Sequence, residues 1–176
     1  PFYVVVGRAG SETVKPGETV QVPLYASFLT GSRAVGDSLV LRAELYGWNS
    51  LGERRTYWTG TRAVPYAPYM SAPLAPLAVT MPNEPAVAVL AVVLEDASGA
   101  ALHHNFTTFV VDGPAPASAT LADGRRAVVA RVPAASYSDA RWSQKTWKVL
   151  DGLKVDGAGA GFFEYRIPWP AGLRRA

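Results

Sequence analysis

The 176-residue sequence contains no cysteine and only two histidines. Disulfides and thiolate metal sites are thereby excluded, so the fold rests on its core alone, and the compartment stays open to cytoplasm, periplasm or exterior. Long hydrophobic runs are lacking as well. The richest stretch, Val87 to Leu94, stops at Glu95 and Asp96, short of the roughly 18 apolar residues that mark a membrane-spanning helix. Charge of one sign is also missing: seventeen basic and fourteen acidic side chains leave a formal charge of +3. The basic residues come in scattered pairs, Arg54/Arg55, Arg125/Arg126 and Arg174/Arg175. An electrostatic footprint needs clustering, so neither nucleic acid nor a membrane is expected as a partner. No initiator Met and no basic-flanked leader opens the chain at Pro1, and the expectation is a piece excised from something longer.

What is present is a globular composition, about half hydrophobic and 11% aromatic, with period-two alternation punctuated by Gly, Pro, Asn and Asp. Helical periodicity is nearly absent, and the pattern predicts an all-β sandwich. After the Lys15-Pro16-Gly17-Glu18 turn, Val20, Val22, Leu24, Ala26 and Phe28 fall on one face while Thr19, Gln21, Tyr25 and Ser27 fall on the other. Leu39, Leu41, Ala43 and Leu45 repeat the alternation. A turn at Trp48-Asn49-Ser50-Leu51-Gly52 leads to a partner strand at Arg55 to Ala63. Ala86 to Leu94 is apolar on both faces and is expected as a central strand, with a return through Asp96-Ala97-Ser98-Gly99 to Leu102 to Val111. With Phe2 to Val6 and a short strand near Leu77 to Thr80, about seven strands are expected by Val111, the size of an immunoglobulin-like sandwich.

Residues 112–118, rich in Pro and small side chains, read as a linker. Residues 119–176 then form a second β-rich segment, with strands expected at Arg126 to Val132 and Phe162 to Pro168. Asp151-Gly152 and Asp156-Gly157 are expected as turns of a hairpin. Some sixty residues are few for a complete jelly roll, so this segment is expected to be incomplete and to cover its apolar face with the first domain or by self-association.

Catalytic patterns return little. No nucleophile elbow, phosphate-cradling loop or dinucleotide-binding turn occurs. His103 and His104 are strand neighbours pointing to opposite faces, which suits structural or surface roles better than one metal or one substrate. Glu95-Asp96 likewise diverge, so the paired carboxylates of glycoside hydrolysis are not met there. Asp151 and Asp156 could line a calcium site, yet a Gly after each is what a turn requires without metal. Asn105-Phe106-Thr107 matches a glycosylation sequon and reads more plainly as strand. No metal and no cofactor is expected. Two aromatic clusters remain, Tyr46, Trp48, Tyr57 and Trp58 in one hairpin and Trp142, Trp147, Tyr165 and Trp169 in the second segment. Stacking on sugar C–H faces and packing in a small core are both open to them.

The order Lys15-Pro16-Gly17-Glu18-Thr19-Val20, Leu45-Tyr46-Gly47-Trp48, Val92-Val93-Leu94-Glu95-Asp96 with Gly99, and His104-Asn105-Phe106-Thr107-Thr108-Phe109-Val110-Val111 resembles the immunoglobulin-like accessory domains that follow the catalytic barrel in glycoside hydrolase family 2 enzymes of the β-galactosidase-like kind. Trp142-Ser143-Gln144-Lys145-Thr146-Trp147, Asp151-Gly152-Leu153-Lys154 and Gly161 to Pro170 look like the opening of a galactose-binding-like jelly roll from such enzymes. The resemblance implies a non-catalytic accessory region of a bacterial glycoside hydrolase, periplasmic or extracellular, with the barrel of the same parent chain as its partner. The family's two catalytic glutamates belong to that barrel, so no catalytic residue carries over and this piece alone is expected to be inactive. If carbohydrate is bound, the expected residues are Trp142, Trp147 and Trp169 as stacking planes with Gln144 and Lys145 as hydroxyl partners. The alternative is a stand-alone β-sandwich for adhesion or protein interaction.

Overall fold

The computed structural model describes residues 1–7, 11–31, 38–114, 117–121, 123–130, 132–149 and 154–168, with backbone alone for 147–149 and 154. The chain divides into two compact units, Pro1–Ala115 and Pro116–Ala176, a division that falls inside residues 112–118.

In the first unit the strands are β1 (Phe2–Val6), β2 (Ser11–Val14), β3 (Thr19–Phe28), β4 (Ser38–Asn49), β5 (Arg54–Pro65), β6 (Ser71–Thr80), β7 (Ala86–Glu95) and β8 (Ala101–Val111). They form two sheets, ordered β1-β3-β6 and β2-β8-β7-β4-β5. The chain's opening is shared between them: β1 pairs antiparallel with β3 in one sheet, and β2 pairs parallel with the last strand, β8, in the other. Hairpin-linked neighbours plus long crossings between sheets give the immunoglobulin-like sandwich. Eight described strands stand where seven were expected. β2 was missed because four residues, Ser-Glu-Thr-Val, carry too little alternation to register.

The interior follows the alternation. Val20, Val22, Leu24, Ala26 and Phe28 of β3 face Leu39, Leu41, Ala43 and Leu45 of β4 and Ala88, Leu90, Val92 and Leu94 of β7, all buried. Each fully buried Val, Leu or Phe among them contributes about 1.5–3 kcal/mol. At one end Phe2, Phe28 and Tyr66 meet ring to ring, with centroids 5.5 to 5.8 Å apart.

One turn and one strand expectation need correction. Trp48 and Asn49 belong to β4, and the turn is Ser50-Leu51-Gly52. Its anchor is Asn49, whose Oδ1 accepts from the Leu51 and Glu53 amides at 3.0 Å each. The short strand near Leu77 is in fact ten residues long. Its first half was hidden by Pro73 and Pro76, which are tolerated because β6 is an edge strand. Pro23 sits in the central strand β3, where the β3–β6 register skips from Val22↔Leu77 to Leu24↔Leu74. A bulge absorbs the missing N–H.

The second unit holds β9 (Ser118–Thr120), β10 (Arg126–Val128), a single 3-10 turn at Ala134–Ser136, β11 (Asp139–Trp142), β12 (Lys145–Val149), β13 (Lys154–Ala158) and β14 (Gly161–Glu164). β11–β14 and β12–β13 pair in one continuous antiparallel register, from Asp139↔Glu164 to Val149↔Lys154, with a break at Ser143-Gln144 and Gly159-Ala160. Asp156-Gly157 is therefore not a turn, since both lie within β13; Asp151-Gly152 lies outside the described residues. β10 and β14 end earlier than expected, at Val128 and Glu164. No described residue of the second unit is buried.

Candidate functional site

The hairpin that carries the expected carbohydrate residues is shaped by Trp142. It pairs with Gly161 across the ladder, and a Cβ at Gly157 or Gly161 would run into its indole. Glycine is required at Gly157 because the ring lies over it, and at Gly161 because a Cβ would meet the Arg141 carbonyl as well as the ring, an aromatic covering the bare backbone of a strand. The same ring meets Phe163 at 5.3 Å, and Phe163 meets Tyr137 at 5.2 Å. The Trp142 Nε1 is buried without a hydrogen-bond partner. The residue as a whole is half-buried, with the N–H edge and the side over Gly157 and Gly161 taken up by packing.

Gln144 and Lys145 are exposed, beside the break in the hairpin where the Gln144 amide donates to the Ala158 carbonyl at 3.2 Å. Trp147 pairs with Asp156 through the backbone of β12, its side chain being outside the described set, and Trp169 lies outside the described residues altogether. Tyr165, also of that cluster, donates its hydroxyl to the Ala134 carbonyl at 2.8 Å.

The first aromatic cluster is split in two by the fold. The β4–β5 register shifts between Leu45↔Trp58 and Tyr46↔Thr56, leaving Tyr57 as the extra residue of a bulge. Tyr57 and Trp58 consequently both pack against the core, and burial pushes the Tyr57 phenol upward, with Glu84 adding to the effect. Tyr46 and Trp48 stay on the outside, 6.0 Å apart and edge-on, with the Arg54 guanidinium 4.6 Å above the Tyr46 ring. Trp48 is 42% exposed.

These two belong to a larger surface, the outer face of the five-stranded sheet. Val87, Val89, Ala91 and Val93 of β7 point outward there, and Phe106 on β8 is 65% exposed. The small side chain of Ala91, directly across from Phe106 on β8 and from Glu44 on β4, leaves a shallow hollow of about 440 Å³ walled by Tyr46, His104 and Phe106. A second depression of about 310 Å³ adjoins it over β4 and β5, sharing Ala91 and Val93. β7 is central in its sheet, as its double apolar pattern suggested, but only its inner face is fully covered. Sequence reasoning did not single out this surface. The signal was there, in apolar residues alternating with apolar residues along β7 and in Phe106 and Val110 standing out of phase with the buried Phe109 and Val111.

The ionisable groups serve local structure. His103 Nδ1 accepts from the Val4 amide at 3.3 Å and Asn105 Nδ2 donates to the Val4 carbonyl at 2.9 Å, so two β8 side chains occupy both backbone groups of an edge-strand residue. That bond employs the sequon's amide nitrogen, the atom a glycan would need. Glu95 pairs with Arg42 at 2.6 Å, whereas Asp96 turns away to accept from the Ser98 and Ala100 amides. The two carboxylates are thus committed separately, one to an ion pair and one to a turn. Glu53 is held below the ordinary carboxylate range by the Asn49 amide and then by Arg55. Among the described residues no helix is long and apolar enough to cross a membrane.

No family model matches the chain, and no curated protein matches it. Among solved structures, the sporulation control protein Spo0M from Bacillus subtilis is similar over 64% of this chain and 49% of its own, at 13% identity and a TM-score of 0.37. The alignment thus spans about half of Spo0M's length, and at that score the likeness carries nothing about fold or function.

Proposed function

We propose that this chain is a non-catalytic accessory region of a larger glycoside hydrolase, with a structural rather than a sugar-binding role, and that its partner is the catalytic barrel of the same parent chain. The observation that carries this reading is the contrast between the units. The first has a closed core of twenty-two buried hydrophobic residues, whereas the second has no buried residue among those described. A β-rich hairpin that packs Trp142 and Phe163 with no buried residue among those described is what the start of a larger jelly roll would look like, in keeping with the resemblance of Trp142 to Trp147, Asp151 to Lys154 and Gly161 to Pro170 to such a domain. The packing of Trp142 over Gly157 and Gly161 favours support over saccharide binding.

The flanking coding sequence tests the proposal. A barrel-sized domain with two glutamates in catalytic positions just upstream supports it; further sandwich repeats or an unrelated domain in its place would overturn it. The second reading, a stand-alone interaction sandwich, is favoured by the apolar outer face of the five-stranded sheet, and the same sequence decides between them.

A further inference from the structure

The outer sheet face is open, apolar and shaped. We infer that it is a self-association surface of this chain, on which the Phe106 ring of one copy fills the hollow over Ala91 of a second copy while the reciprocal contact forms beside it. The knob and the hollow are cross-strand partners, Ala91↔Phe106, on adjacent strands β7 and β8. A two-fold axis lying between these strands and parallel to them brings each Phe106 over the other copy's Ala91. The same operation sets His104 over Val93 and Val110 over Val87, since these too are register partners. A surface whose projection and recess sit side by side in one row is complementary to itself, as a two-fold interface demands.

Charge placement agrees. From Val87 to Val93 on β7 and from His104 to Val110 on β8 there is no Asp, Glu, Lys or Arg, so closing this strip strands no carboxylate, ammonium or guanidinium in an apolar contact. At the flanks, Arg42 and Glu95 already neutralise each other, Glu44 beside Ala91 accepts from the Thr56 hydroxyl at 2.7 Å, and Arg54 lies over Tyr46. The area fits a weak, concentration-dependent dimer. The two-fold sets β8 against β7 and the four-residue β2 against β4, leaving β5 outside; strands about 4.8 Å apart then present roughly 500 Å² per copy, the small end of specific interfaces, and a weak dimer is expected. Val87 at 51% and Phe106 at 65% exposure are what such a contact would cover.

Sedimentation equilibrium of the whole 176-residue chain, from micromolar to millimolar concentration, tests this. The expected result is a monomer–dimer equilibrium. Phe106→Arg, which removes the projection, and Ala91→Phe, which fills the recess from its own side, should each raise the dissociation constant at least roughly tenfold. Both leave thermal melting nearly unchanged, because both positions face outward. A monomer at every concentration overturns the inference and leaves the face to an unlike protein or a saccharide. A dimer that persists in both variants overturns it as well, and loss of that dimer in Phe162→Arg would put the contact on the second unit's hairpin.

Discussion

Single residues settle several local questions by geometry alone. Gly17 adopts φ +72° in the turn before β3, and a Cβ there would meet Asn83 Oδ1 at 2.5 Å. The left-handed backbone disfavours a side chain, and the Asn83 amide would have to swing aside to admit one. Gly17→Ala is expected to cost about 1–2 kcal/mol, read as a lower midpoint in urea with an unchanged slope. Asp96 is a residue whose charge is used by its turn: the Ser98 hydroxyl first, then the Ala100 amide, hold its carboxyl below the ordinary value. A carboxyl depressed in the folded state stabilises the fold fully above its unfolded pKa, near 3.8, and that contribution is lost as pH falls through the lower, folded value. Asp96→Asn, which cannot take up the proton, should therefore lose less melting temperature than wild type between about pH 5 and about pH 2. Equal acid sensitivity in the two proteins would show that the turn does not depend on this charge.

At the scale of elements, Arg62 shows how a defect in one strand is answered from another sheet. The bulge opposite Pro23 leaves two β6 residues, Ala75 and Pro76, against one on β3. Arg62, from the edge strand β5 of the other sheet, donates to the Ala75 carbonyl at 2.6 Å and to the Pro76 carbonyl at 3.4 Å. Burial pushes its guanidinium pKa downward, and its Nη2 is buried without a hydrogen-bond partner. Arg62→Met keeps the stem and loses the bonds, and should cost about 2 kcal/mol in chemical denaturation; a neutral result would mean that the orphaned nitrogen cancels the gain. In the second unit, Trp142→Ala removes the cover of Gly157 and Gly161 and should cost about 2 kcal/mol or more, seen as faster amide exchange along β11 and β14. Unchanged exchange, together with loss of saccharide-induced fluorescence quenching, would return Trp142 to a binding role.

Strand existence in the first unit was legible because one face of each long strand is buried, so period two is written directly in β3, β4 and β7. What escaped notice depended on distant partners. Pro73 and Pro76 look like breaks until β6 is known to be an edge, and Asp156-Gly157 looks like a turn until Trp142 is seen lying over it. The candidate site fared similarly. Gln144 and Lys145 are exposed as a hydroxyl-binding role requires, but the sequence could not say that the Trp142 N–H would be buried. Nor could it say that the apolar second face of β7 would stay open, because an apolar residue looks the same whether it awaits a core or a partner.

The chain joins a sandwich with a closed core to a unit in which no described residue is buried, and this division is the basis of the functional reading. Amide hydrogen exchange on the full chain, followed by mass spectrometry or NMR, tests it most directly. Amides of β3, β4 and β7 should exchange only through global unfolding of the sandwich, while those of β11 to β14 should exchange at least roughly a hundredfold faster, since none of the described residues around them is buried. Protection of the hairpin equal to that of β3 and β7 would contradict the account, because it would require the hairpin to be covered by a closed core, by the first unit or by a second copy.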